Sequence, residues 1–347
     1  MVFFLKRIGQ GLLVIWGIVS LLFLIFYTLG DPVEYVVGEQ ADDATRQAIR
    51  EKYGLDQPLY HQYFTYLGNL LPLGSLPEDA WADVPHLKLW SAKDGVFALK
   101  APNFGRSYQT NQAVNQMIGR KVEGTLVLAL AAILFAAVVG ISLGVLAALK
   151  RESWVDRSIL SVSVLGISAP SFFIGVLVAW LFAVKWKSLT GLNISGHLFE
   201  ENIFDAGRSL QLKNLFLPAL ALGVRPLAVF IQLTRSSMIE VLEADYIRTA
   251  RAKGLSAFKV VAGHALRNAL NPVMTSVTGW LASLLAGAFF IEYIFNWQGI
   301  GKLTIDALDT KDFPVILGCA MFIGAIFVLV SILTDVVYRW LDPRVNL

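Results

Sequence analysis

Six stretches of this chain are apolar for the length of a membrane crossing, and nothing constrains its fold more. They cover about residues 11–29, 125–149, 158–184, 215–233, 273–295 and 314–338. A bilayer core takes about 20 helical residues to cross, and helices keep every backbone polar group satisfied in lipid. Only three charged residues fall within or at the edge of these runs, Arg225, Glu292 and Asp335. The chain is 56% hydrophobic and 16% charged, with mean hydropathy +0.60, whereas a soluble domain is roughly a quarter charged. The expected fold class is an all-α integral membrane protein with six transmembrane helices, folded as a single domain over 1–347. A cleaved signal peptide is the alternative for the first run. That run reaches Gly30-Asp31-Pro32 with no Ala-x-Ala site, so it is read as a retained span.

The loops set the orientation. Taken as inner pieces, 1–10, 150–157, 234–272 and 339–347 hold thirteen Lys and Arg in 66 residues. The short outer loops, 185–214 and 296–313, hold six in 48. The positive-inside rule then places both termini and the 234–272 segment in the cytoplasm. Residues 30–124 become a large extracytoplasmic loop. Within it, Asp42 or Asp43 can cap a helix to Tyr53, with Gly54 as its stop. Gln57-Pro58 starts another, with Pro at the first helical position. Tyr60, Tyr63, Phe64, Leu67, Leu70 and Leu71 form its apolar stripe, suited to the membrane interface or to packing on the spans. The 73–102 stretch shows no period and is read as irregular. Pro170 and Pro218 are expected to kink or start helices. Gly140 and Gly144 form a G-x-x-x-G, read as packing filler rather than as a helix-pairing motif.

The longest polar segment between inner span ends is 234–272. Ile247 and Ala250 share one helical face, and Arg248 and Arg251 share another. Gly254 suits a helix C-terminus, and Ser256 can cap the next helix. Phe258, Val261 and Ala265 then follow one apolar stripe, and Asn271-Pro272 opens the following span. The product is a thin, charged, rigid knuckle that a partner's groove could grip.

Enzymatic signatures are missing. Gly299-Ile300-Gly301-Lys302 fails as a phosphate loop, since Asn296 and Leu303 stand where Gly and Ser or Thr are needed. The four His (His61, His86, His197, His264) are scattered and the one Cys, Cys319, lies in an apolar run, so no metal site is expected. A net charge of +3 is too small to argue for nucleic acid. Charged residues in spans are functional candidates by default. Arg225 is read either as a pathway-lining contact for a substrate carboxylate or as a helix-holding partner. Glu292 is read as a snorkelling interfacial acid, with an outer-gate role as the alternative. Asp335 is expected to pair with Arg339 at i, i+4.

D-Y-I-R-T-A-R-A-K-G-L (245–255) followed by H-A-L-R-N-A (264–269) resembles the coupling loop of permease subunits of bacterial ABC importers, in the dipeptide, oligopeptide and nickel branch. The broader importer pattern is Glu-Ala-Ala, three residues, Gly, nine residues, Ile, one residue, Leu-Pro. Aligned on Gly254, it keeps only Ala250, the Gly and Leu266, while Arg248, Thr249, His264 and Arg267 depart. Further resemblance lies in T-R-S-S-M-I-E-V-L, I-F-N-W-Q-G-I-G-K-L, D-F-P, D-P-R and Phe104-Gly105-x-Ser107. The roughly thirty residues before Phe104 look like an insertion. The resemblance implies a type I ABC importer permease fold in the bacterial inner membrane, serving peptides, with nickel chelates or other small solutes as the alternative. It implies a second homologous permease, two ATP-binding cassette subunits and an extracytoplasmic solute-binding protein as partners. ATP and Mg would sit on the ATPase subunits, with no cofactor on this chain. Asp245, Tyr246, Arg248, Ala250, Arg251, Gly254 and Leu255 would couple to the ATPase, and Arg225 and Glu292 would be pathway candidates. A self-sufficient secondary transporter is the rival. It would want titratable groups mid-membrane, whereas Glu292 and Asp335 lie near span ends and Arg225 does not titrate. A membrane-anchored scaffold ranks lower, because six spans exceed what anchoring needs.

Overall fold

The computed structural model describes residues 2–28, 33–34, 42–76, 84–92, 95–201 and 208–341. Its principal helices are α1 (Val2–Thr28), α2 (Asp43–Tyr53), α3 (Leu59–Leu70), α4 (Val114–Leu149), α5 (Trp154–Ser168), α6 (Ser171–Val178), α7 (Leu212–Glu243), α8 (Asp245–Ala252), α9 (Asn271–Gly287), α10 (Phe289–Ile294), α11 (Ile300–Asp309) and α12 (Phe313–Leu341). The chain forms two compact units. One comprises Val2–Glu123 and Leu303–Ala325, the other Gly124–Lys302 and Ile326–Leu347.

In the first unit the Asp42 carboxylate caps α2 through the Thr45 N–H at 3.3 Å. Gly54, at φ 65°, ends that helix as expected. Pro58 precedes α3 at its cap, one residue earlier than the expected first helical position. The α3 stripe divides. Tyr63 shares a 2.6 Å hydrogen bond with Ser20 of α1 and packs edge-on against Phe23, while Tyr60 and Phe64 stay exposed.

The 73–102 stretch is not irregular. It holds a three-stranded antiparallel sheet of β1 (Leu73–Leu76), β2 (His86–Ala92) and β3 (Gly95–Lys100), ordered β1-β3-β2. Register runs from Leu73↔Leu99 to Leu76↔Val96 on one side, with a break between Lys88 and Trp90 on the other. Val96, Ala98 and Lys100 are buried while Phe97 and Leu99 are exposed, the period of two that a half-buried strand requires. Four of those five residues are apolar, so hydropathy alone hides the alternation. Nearby, the Ser107 hydroxyl donates to the buried Asp312 carboxylate, which also accepts from the Tyr108 N–H at 3.1 Å. This ties Phe104-Gly105-x-Ser107 to Asp312-Phe313-Pro314.

In the second unit, α7 is the central element. Leu217, Ala221, Leu222 and Phe230 join Leu128, Ala129, Ala132, Ile133 and Ala136 of α4 in one core with Ile174 and Val178 of α6. Small residues let α4 and α7 approach closely. A methyl on Gly140 would sit 2.9 Å from the Phe230 Cβ, and one on Gly144 2.6 Å from the Thr234 Cβ. The glycine pair is therefore a contact surface, not filler. Pro170 separates α5 from α6 at a bend of 112°, because Pro cannot continue the preceding helix. Pro218 and Pro226, by contrast, lie inside an uninterrupted α7. A hairpin of β4 (Phe199–Glu201) and β5 (Arg208–Leu210) precedes that helix.

Among the described residues, four helices are long and apolar enough to cross a membrane: Lys6–Ile25, Val114–Leu149, Leu212–Glu243 and Phe313–Val336. The bent α5–α6 pair makes a fifth if it is one span. The expected 273–295 span is broken at Ala288 into α9 and α10, so length and composition do not reach the count of six.

Candidate functional site

The knuckle begins where Ala244, in extended conformation (ψ 148°), turns the chain from α7 into α8. Ile247 and Ala250 face inward and join Ala148, Met238, Val260, Ala265 and Ala269 in a small separate core. Burying an Ile side chain contributes about 1.5–3 kcal/mol, enough to fix a two-turn helix that would not hold alone. The other predicted positions face out: Asp245, Tyr246, Arg248, Arg251, Gly254 and Leu255 are all exposed, as is every residue from 251 to 259. Ala250 is thus the support of the knuckle rather than part of its surface.

The turn after α8 is a Schellman motif. The Leu255 N–H bonds the Ala250 carbonyl at 3.4 Å and the Gly254 N–H bonds the Arg251 carbonyl at 2.9 Å. Gly254 lies at φ 76°, a left-handed conformation that costs a side-chain-bearing residue about 1–2 kcal/mol. Ser256 has the backbone of a cap, yet its side chain makes no capping bond. The expected Phe258–Val261–Ala265 stripe holds for Val261 and Ala265, which pack on that small core, and fails for Phe258. Phe258 is 79% exposed, and Val260 is buried with Ala265 instead. The cause is that Val260–Ala265 is π-helical, so residues five apart align. Tyr246 is held by a 2.8 Å hydrogen bond from the Asn268 amide. The Arg248–Asp245 pair, 3.6 Å apart and almost fully exposed, contributes little. Arg248 is left available to a partner.

Glu292 does not snorkel. Its side chain is fully buried. The Thr125 hydroxyl donates to Oε1 at 2.7 Å and the Lys302 N–H to Oε2 at 3.0 Å. Thr125 in turn accepts the Ile300 N–H at 2.8 Å, and the Trp297 indole donates to the Gly124 carbonyl at 2.8 Å. The carboxylate lies at the N-terminus of α11, where free N–H groups favour an anion. A side chain on Gly299 would overlap it, and a methyl on Gly301 would come 2.9 Å from Oε2. The phosphate-loop look of Gly299-Ile300-Gly301-Lys302 therefore has a physical basis: this backbone closes on the chain's own carboxylate.

One pair escaped sequence reasoning. Arg235 of α7 grips Asp156 of α5 with two bonds, Nε to Oδ1 at 2.6 Å and a terminal nitrogen to Oδ2 at 2.7 Å. The Glu152 N–H adds a third at 2.9 Å. Asp156 is 3% exposed. A carboxylate in the first turn of a helix was the available signal, but its partner is 79 residues away. Arg225 is exposed midway along α7 and makes no hydrogen bond or ion pair with the described residues. The side chain of Arg339 lies outside the described residues, so its pairing with Asp335 does too. Among the described residues, no group of three His, Cys, Asp or Glu could hold a metal.

Residues 140–347 match the family model "Binding-protein-dependent transport system inner membrane component", and residues 1–129 match "Binding-prot-dependent transport system membrane comp, N-term". The chain is 37% identical to the di/tripeptide transport system permease protein DppB of Pseudomonas aeruginosa (strain UCBPP-PA14), over 99% of this chain and 98% of that protein. It is 36% identical to a putative peptide permease protein of Brucella suis biovar 1, and 34% to the dipeptide transport system permease protein DppB of Escherichia coli (strain K12), at the same coverages. A chain of the inward-facing MetNI methionine ABC transporter superposes with TM-score 0.52 at 17% identity, covering 65% of this chain and 97% of that one, and so shares its fold.

Proposed function

The chain belongs to the family of inner membrane components of binding-protein-dependent transport systems, and from that premise we propose that it is the permease subunit of an ATP-driven importer of short peptides. The family is one of transport components rather than enzymes, and works with ATPase and binding-protein components. Peptide cargo is supported by near-full-length relatives named for di- and tripeptide transport. In this reading a second homologous permease completes the pathway. Two ATP-binding cassette subunits carry ATP and Mg, and a solute-binding protein delivers cargo from outside. Both termini and 234–272 are cytoplasmic, and 30–124 lies outside.

The observation that carries the coupling assignment is the knuckle itself. A short helix is locked inward by Ile247 and Ala250 and turned by Gly254, presenting Tyr246, Arg248, Arg251 and Leu255 outward. A rigid exposed element anchored beneath α4 and α7 can carry closure of two ATPases into the spans as a two-state shift. Gly254→Val tests it in the reconstituted complex. Substrate-stimulated ATP hydrolysis should fall at least tenfold while the complex still assembles; unchanged stimulation refutes the assignment.

Arg225 fits a water-filled pathway or a contact with the second permease. A bare cation mid-span costs about 2.5–3.5 kcal/mol against lipid, and this side chain has no partner within the described chain. A carboxylate at a peptide's C-terminus is the complementary group. Glu292 enters as a latch holding Gly124–Thr125 to the 297–302 loop, rather than as a group meeting cargo.

A further inference from the structure

The first unit contains a cleft of about 560 Å³, inside the roughly 300–1,000 Å³ of small-molecule sites. Its floor is apolar, made of Phe23 from α1 and Phe313 and Leu317 from α12. Those helices pass the length and apolarity test for crossing a membrane. Phe23 stands near the end of the Lys6–Ile25 window, and Phe313 opens the Phe313–Val336 window. The cleft therefore sits where hydrocarbon gives way to headgroups.

The walls are polar and already held. The Gln62 amide donates to the Gln57 carbonyl at 2.6 Å and to the Leu55 carbonyl at 3.3 Å, closing the turn between α2 and α3. Across the cleft, Arg106 donates to the Asn111 carbonyl at 2.9 Å and the Gly105 N–H bonds the Asn103 side chain at 3.0 Å. The Tyr53 and Tyr108 rings lie 4.6 Å apart, joining the two walls. The Tyr66 hydroxyl donates to the Met321 sulfur at 3.5 Å, and its burial raises its pKa above the ordinary phenol range. Lys52 and Arg106 supply two cations to the lining, and the lining residues include no Asp or Glu.

We infer that this cleft binds the headgroup of an anionic phospholipid. The phosphate would sit against Lys52 and Arg106, the glycerol and ester oxygens against the side chains of Asn69, Asn103 and Tyr53 in the lining, and the first methylenes on the Phe23–Phe313–Leu317 floor. A soluble anion would leave the apolar floor uncovered, and a zwitterionic lipid would offset the phosphate charge at the basic wall. The inference rests on the membrane placement above only for which leaflet supplies the lipid.

The test uses the purified full chain in detergent, read by native mass spectrometry. Phosphatidylglycerol and phosphatidylcholine of identical acyl chains are the probes, with inorganic phosphate and a dipeptide as competitors. The expected result is selective retention of phosphatidylglycerol, undiminished by either competitor. Lys52→Gln/Arg106→Gln should weaken it roughly tenfold to thirtyfold, at about a fivefold loss per interfacial charge, while Lys52→Arg/Arg106→Lys keeps it. Equal retention of both lipids overturns the inference. So does retention untouched by the Gln pair, or displacement by phosphate, which would make the ligand a soluble anion, or by dipeptide, which would make it a peptide. Selective retention in a protein whose Ala48→Cys thiol, exposed on α2 and outside the cleft lining, is labelled only from the cytoplasm would keep the lipid site and sink the proposed orientation instead.

Discussion

Replacing Glu292 separates a latch from a group that meets cargo, because the two roles predict opposite readouts. In Glu292→Gln the amide oxygen can still accept the Lys302 N–H, now 3.0 Å from Oε2. The new NH₂ then faces Thr125, whose hydroxyl must give up its role as donor while still accepting the Ile300 N–H. One charge-assisted bond is lost and one buried hydroxyl proton is stranded, a cost of about 1–2 kcal/mol. Glu292→Ala orphans both donors and leaves a cavity, and should cost about 3–4 kcal/mol. Unfolding of the purified protein, titrated with SDS in mixed micelles, reads these losses. Thr125→Ala with Glu292→Gln should be less than additive, since both remove the same bond. Residual uptake should track the stability loss. If Glu292→Gln unfolds like the parent while uptake collapses, the latch reasoning is refuted and the carboxylate acts on cargo or protons.

Three further outcomes follow from the same geometry. Arg235→Gln leaves the buried Asp156 carboxylate without its bidentate partner and should destabilise by about 3 kcal/mol, seen as a lower SDS midpoint; Asp156→Asn in the same chain should recover part of it. Gly144→Val pushes against Thr234 and the Ile231 carbonyl at 2.6–2.8 Å, so it should cost about 1–3 kcal/mol by forcing α4 from α7, whereas Gly119→Ala, with open space around it, should leave the midpoint unchanged. Arg225→Gln should retain the parent's unfolding midpoint but cut transport of peptides with a free C-terminus more than of their amidated forms, measured as uptake into proteoliposomes; equal losses for both would remove the carboxylate contact.

Much of the architecture was legible because its signals are local. Hydropathy over twenty residues is a property of the run itself, so most of the long apolar runs became long helices. Gly254 and the Asp42–Gly54 helix could be read for the same reason: a left-handed turn and a cap depend on a few neighbouring dihedrals. Tertiary structure decided what those runs meet. Glu292 reads as an interfacial acid until Thr125, 167 residues away, closes on it. Asp156 waits on Arg235, 79 residues away on another helix. The β1–β3 sheet hides because Val, Phe, Ala and Leu alternate faces without alternating polarity. Phe258 and Val260 exchange places because π-winding shifts the phase of a stripe that looks α-helical on paper. Sequence determines what each segment can be on its own, through backbone preference and transfer from water. Which buried charge finds its counter-group, and which glycine becomes a contact, depends on surfaces that exist only once distant segments pack.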